Sequence, residues 1–253
     1  MFSRFRLGIQ AFGVVVILIA AKITLFLNGW ELLTLNALIT SAIAGAIFIV
    51  GFLLSGIIAD YKEAEKMPGE IRGALENIFE DARMFAREHP EFALEDMRRS
   101  VLAVVTRFFE GVSVDAGARG LIPCLSAIDA LSTPIAQMET LGAPANYIVR
   151  LRVEQGIVRR AVLRISHVQR TQFIPSAHIL AESLICFVIA LLFFLKTEGS
   201  PESFVVFAFI SYLFTYVGLL IRVVEQPFRQ GSGTQDDVSL FLLHEFEEKL
   251  LAQ

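Results

Sequence analysis

The stretch that decides the fold is LLTLNALITSAIAGAIFIVGFLLSGIIA, residues 32–59. It holds no charged residue, and as an α-helix it would be about 42 Å long. The hydrocarbon core of a bilayer is about 30 Å thick, so the run is longer than a crossing requires. It must tilt strongly, or continue past the bilayer under the cover of other protein. It is also rich in small residues: Ser41, Ala42, Ala44, Gly45, Ala46, Gly51, Ser55 and Gly56. Small residues serve close helix packing, or they line a narrow passage, and the sequence leaves both uses open.

Three further apolar runs flank this one. The first covers about 7–27, and two more cover about 174–195 and 204–221. Each is near the roughly 20 residues that a spanning helix needs. Arg4 and Arg6 precede the first run as they would in a signal peptide. The run is a full span long, contains Lys22 and lacks a small-x-small cleavage site, so it reads as a retained helix. Short linkers, Asn28–Glu31 and Lys196–Ser203, join the spans into two hairpins.

Charge asymmetry sets the expected orientation. Arg4, Arg6, Arg150, Arg152, Arg159, Arg160, Arg164, Arg170, Arg222 and Arg229 flank the spans on one side. The opposite loops hold Glu31, Lys196, Glu198 and Glu202. The expected location is therefore the plasma (bacterial inner) membrane, crossed several times, with both termini cytoplasmic. Trp30 would sit at the outer interface. The expected organisation is a first transmembrane hairpin over 1–60 and a cytoplasmic helical section over 61–172. A second hairpin over 173–222 and a cytoplasmic tail over 223–253 follow. The fold class is all-α, a four-span (2 + 2) helical membrane protein.

The composition agrees: 55% of residues are hydrophobic and 19% charged, below the soluble average of about 25%. A net charge of −4 excludes a generic nucleic-acid binder. Cys124 and Cys186 lie in different settings, one polar and one apolar. They read as unpaired small hydrophobes.

The middle section reads as helical. Pro68 followed by Glu70 looks like a helix start, and His89-Pro90 like its end. A second helix is expected over about 92–110 and a loop at Gly111, Gly117 and Gly120. Pro123 opens another helix, broken at Gly142 and Pro144. A last one runs to about Gln172, with Ile148, Leu151, Val158, Val162 and Ile165 as its apolar stripe. Asp60–Asp96 is acid-rich and Arg150–Arg170 is basic, with Glu154 its only acid. Solvated faces and interhelix ion pairs explain this pattern. A charged vestibule, or contact of the last basic turns with anionic headgroups, would explain it too.

No P-loop, GxGxxG, GxSxG or HExxH motif is present, and the four histidines have no metal-ligand spacing. No cofactor, metal or enzymatic activity is expected. His178 and Glu182 share one face of the third span, where a carboxylate is costly and faces protein or water. They read as a structural interhelical hydrogen bond or as a step in ion or proton passage. Asp236-Asp237 lacks the spaced oxygens of a Ca²⁺ loop.

Two segments carry a family resemblance. After the last span stands Arg222-Val-Val-Glu225-Gln-Pro227-Phe228, then Asp236-Asp237-Val-Ser-Leu240. This is similar to the bestrophin tail, an acidic-x-Pro-Phe element followed by Asn/Asp-Asp-Leu-x-Leu. In span two, Phe48-Ile-Val-Gly51-Phe52 resembles the Phe-x-Leu-Gly-Phe of the bestrophin pore helix. Glu63-Ala-Glu65-Lys-Met-Pro68 and the 2 + 2 layout resemble the family too. The chain departs from it at Ala59-Asp60-Tyr61-Lys62, where bestrophins carry Arg-Trp-Trp or a close relative. It departs again at Ala44-Gly45, where they carry Ile-Pro in the neck.

The resemblance implies a homopentameric ion channel with five copies of span two around a pore. Its partners would be further copies of itself, the lipid bilayer and permeant ions. Thr40, Ala44, Ile47, Phe48 and Gly51 would line the pore, with Ala44, Ile47 and Phe48 as the neck. Two other functions fit the residues. One is a non-conducting scaffold or regulator that binds a partner through the cytoplasmic helices. The other is a membrane enzyme or proton-coupled transporter using His178 and Glu182.

Overall fold

The computed structural model describes residues 6–113, 120–170, 175–197, 200–224, 227–228 and 238–252. These form nine helices: α1 Arg6–Leu27, α2 Ala37–Glu88, α3 Leu94–Val112, α4 Ile122–Ala130, α5 Ser132–Thr140, α6 Ala145–Arg170, α7 Pro175–Phe194, α8 Pro201–Val224 and α9 Phe241–Leu251. Helices α1, α2, α7 and α8 are long and apolar enough to cross a membrane. The chain divides into two compact units. One holds α1, α2 as far as Tyr61, α7 and α8. The other holds α2 from Lys62, α3 to α6 and α9.

In the spanning unit, the core comes from three helices. Ala46 and Val50 of α2 meet Ala181, Ile185, Val188 and Leu192 of α7 and Phe207, Phe214 and Ile221 of α8. These positions recur at helical spacing, so each helix presents one stripe. Helix α1 packs chiefly on α8 through Leu7, Ala11 and Val15. Between 11% and 22% of each span is buried. Such bare apolar surface needs lipid or further protein around it.

Span two starts at Ala37, not at Leu32 as the hydropathy suggests. Gly29, at φ 68°, turns the chain out of α1, and Trp30 N–H donates to Leu25 O at 3.1 Å. Leu32 and Leu33 then pair with the second hairpin. Their N–H groups donate to Phe194 O, and Lys196 N–H donates to Leu33 O at 2.7 Å. Asn36 caps α2, its Oδ1 accepting from Ile39 N–H at 2.9 Å. Leucines 32, 33 and 35 are apolar enough for a helix, but the hairpin-to-hairpin bridge holds them out of it.

Beneath that bridge lies a buried ion pair. Lys22 is fully buried in α1, and its Nζ sits 2.7 Å from Glu31 Oε1. The ammonium also donates to Phe193 O at 2.9 Å and to Leu195 O. Phe193 O is among the last carbonyls of α7, which have no intrahelical partner. All three ammonium protons therefore have acceptors. Glu31 in turn accepts from Thr197 N–H at 3.0 Å and Thr197 Oγ1 at 2.7 Å. Burial alone would push the Glu31 carboxyl up. The hydrogen bonds from Lys22 and Thr197, with the Lys22 charge, outweigh it and hold the carboxyl below its usual 4.5.

In the second unit, α2 runs straight through Pro68, where the sequence reads as a helix start. Ala64, Met67, Ile71, Ala74, Leu75, Ile78, Ala82 and Phe85 are all buried. One unbroken stripe lies on both sides of the proline and outweighs its lost N–H. The run from Pro123 to Gly142, read as one helix, is two, meeting at Leu131. Gly111 lies inside α3 rather than in a loop. Helix α6 buries the five expected stripe residues and also Gln155, whose Nε2 donates to Ile128 O at 2.6 Å.

The expected tail contains α9, which is no loose end. Leu243, Phe246 and Leu250 are fully buried. Lys249 Nζ reaches Glu76 at 2.8 Å and Glu80 at 3.5 Å on α2. Arg98 of α3 donates to Leu250 O at 2.7 Å, capping the helix end. His244 stacks on Phe109 with ring centroids 4.1 Å apart.

Removing one partner of the Lys22–Glu31 pair leaves a buried charge and is expected to cost about 3–5 kcal/mol. Lys22→Met and Glu31→Gln should each lower the melting temperature in detergent, and the double variant should cost less than the two singles summed. The stabilisation by Glu31 is present above its ordinary pKa and lost as pH falls through its lower folded value. Acid melting below about 4.5 should therefore be blunted in Glu31→Gln. Equal acid sensitivity in both proteins would contradict this role.

Candidate functional site

Helix α2 has two opposed faces within the spanning unit. Ile43, Ala46, Val50, Leu53, Leu54 and Ile57 turn to the core. Thr40, Ala44, Ile47, Phe48 and Gly51 are all exposed. At about 100° per residue, Phe48 and Phe52 are the aromatic side chains that stand opposite the buried stripe, and they are 74% and 72% exposed. Ile47, at 49%, lies on the flank.

Among the described residues, the small residues on this face are not spent on packing inside the chain. A Cβ built on Gly45, Gly51 or Gly56 would meet no heavy atom within 4 Å. Ser41 and Ser55 are exposed beside them. Thr40 Oγ1 donates to Asn36 O at 3.0 Å, which leaves its oxygen lone pairs outward. The bare face is thus mostly small or aromatic, with a few hydroxyls. It can take the close approach of another helix, or border a narrow path.

The intramembrane pair has a third member that the sequence reading passed over. Glu182 Oε1 accepts from Arg222 Nε at 2.8 Å and lies 2.6 Å from its Nη2. His178 Nε2 is 3.3 Å from the same oxygen. Arg222 occupies the last turn of α8, so the cluster ties α7 to α8. In the sequence Arg222 serves as a marker of sidedness, and nothing in its spacing announces a partner forty positions away.

Of the tail motif, Phe228 is buried in the second unit, and Pro227 O accepts from Val238 N–H at 2.7 Å. Glu225, Asp236 and Asp237 lie outside the described residues. Among the described residues no group of His, Cys, Asp and Glu could hold a metal ion. Cys124 is buried, its Sγ 3.6 Å from Val104 O, and burial pushes its thiol up to about 12. Cys186 is exposed.

No family model matches the chain, and no curated protein does. Solved structures do match. A bacterial bestrophin homologue from Klebsiella pneumoniae is 14% identical with a TM-score of 0.79, over 94% of this chain and 96% of that one. A point variant of that homologue is 17% identical with a TM-score of 0.73, over 98% and 97%. A further membrane protein is 16% identical with a TM-score of 0.76, over 96% and 97%. At these identities the likeness is one of fold: the chain is an all-α, four-span membrane protein with a bestrophin-like fold.

If Arg222 and Glu182 hold α7 to α8, then Glu182→Gln and Arg222→Gln should lower the melting temperature by similar amounts. The double variant should fall no further than either single. Additive losses would separate the two residues.

Proposed function

We propose that this bestrophin-like chain forms an oligomeric ion channel, a pentamer by the family resemblance, with the bare face of α2 turned to the pore. The observation that carries the reading is that face. It is apolar or small, lies opposite the core, and finds no cover among the described residues of its own chain. Copies of it around an axis would give a narrow hydrophobic passage. Phe48 and Phe52 are the largest outward side chains, so their rings would form the neck, with Ala44 and Ile47 as its shoulders. A constriction of this kind gates by dewetting, because it offers an ion nothing to replace its hydration shell. Gly45, Gly51 and Gly56 would let backbones or rings come close, and Thr40, Ser41 and Ser55 would supply hydroxyls.

Sidedness follows the arginines, with both termini and the helical unit cytoplasmic. Glu182 is engaged by Arg222 and His178, which supports a structural role over a proton step. Helix α9, clamped to α2 by Lys249, would bear on the lower part of the same helix.

Two measurements test this. Native mass spectrometry of the detergent-purified protein should give a pentamer, and planar bilayers should show unitary currents. Phe48→Ala should raise the conductance or the open fraction several-fold, because a shorter side chain widens and wets the neck. Well-folded oligomer that stays silent across voltage, pH and Ca²⁺ would overturn the channel and favour a scaffold.

A further inference from the structure

The basic helix α6 divides its arginines. Towards its start they are used internally. Arg150 lies 3.2 Å from Asp81, Arg152 donates to Ser132 at 2.6 Å, and Arg159 pairs with Asp129. Towards its end, Arg160, Arg164 and Arg170 make no hydrogen bond or ion pair among the described residues. They are exposed on one side of α6, opposite Val158, Val162 and Ile165. Leu163 lies among them, 47% exposed. After Glu154 the helix holds no acid.

Chain connectivity bounds how far this end can lie from the start of a spanning helix. Arg170 is five residues before Pro175, where spanning helix α7 starts, and even fully extended chain covers only about 3.5 Å per residue. On α2, Lys66 holds Glu63 at 2.7 Å, so this carboxylate has a partner of its own.

We propose that the face formed by Arg160, Leu163, Arg164 and Arg170 binds the phosphodiester headgroups of anionic phospholipids. Guanidinium matches phosphate oxygens in a fork. An exposed leucine among cations is the chemistry of an interfacial helix, which sinks an apolar residue below the phosphates. This site does not depend on conduction and stands whether or not the chain is a channel.

The test uses the full-length protein in phosphatidylcholine vesicles, with spin-labelled phosphatidylglycerol or phosphatidylcholine as the probe. The motionally restricted fraction should be higher for phosphatidylglycerol, and the preference should weaken with salt. The triple variant Arg160→Gln, Arg164→Gln, Arg170→Gln should lose about fivefold or more of the preference, the effect of about one cation at an anionic surface. Its lysine counterpart should retain most of it, which separates loss of charge from loss of fold. Equal association of both probes with the native protein would overturn the proposal, as would a preference untouched by the glutamines. Loss of the preference in excess inorganic phosphate would assign the site to free phosphate instead.

Discussion

Two helical hairpins in lipid have little reason to stay together. Lipid tails are as apolar as leucine, so burying one helix against another releases no hydrophobic free energy. What fixes the spanning unit is therefore specific: close van der Waals packing along three stripes, and polar contacts with no alternative partner in hydrocarbon. The Lys22–Glu31 pair is the chief of these. It joins α1 to its own linker, to the end of α7 and to Thr197. The leucine bridge above it continues the same seam. With both ends of this seam tied, α2 has one place to begin, after the Asn36 cap.

Which side of α2 is inward follows from its side chains: a helix offers one stripe to its neighbours, set by the period of its residues. Ile43, Ala46, Val50 and Ile57 take the core, so Phe48 and Phe52 must stand out from it. In the second unit the same helix meets a different set of neighbours and buries a new stripe through Pro68. Proline is tolerated there because the packing on both sides is already specified.

Much of this was legible in one sequence. Spans follow from apolar length, hairpins from short linkers, and the α6 stripe from its period. The bare face of α2 was partly legible, because small residues and Phe48 mark it. Its buried neighbours, and hence the greater prominence of Phe52 over Ala44, depend on α7 and α8. Where the structure adds to or departs from the sequence reading, distant contacts are the main cause. Leu32–Leu35 is helical by composition but is claimed by Phe194 and Leu195. Pro68 signals a start that tertiary contacts override. An interhelical hydrogen bond at Glu182 is among the sequence's expectations and is present, but its partner Arg222 stands on another helix, forty positions on. Helix α9 carried a readable stripe at Leu243, Phe246 and Leu250. It was hidden by its place after a stretch dominated by Gly, Ser, Gln and Asp.

The buried lysine also bears on how such a chain is made. An ammonium within a span costs about 2.5–3.5 kcal/mol at the helix centre during insertion. The acceptors Phe193 O and Leu195 O, at and just past the end of α7, are synthesised about 170 residues later than Lys22, but Glu31 follows within the same hairpin. The first two spans can thus enter the bilayer as a nearly neutral pair, with the remaining ammonium protons unsatisfied. The arrival of the second hairpin discharges that debt, so its docking is favoured by groups left waiting since the first was threaded.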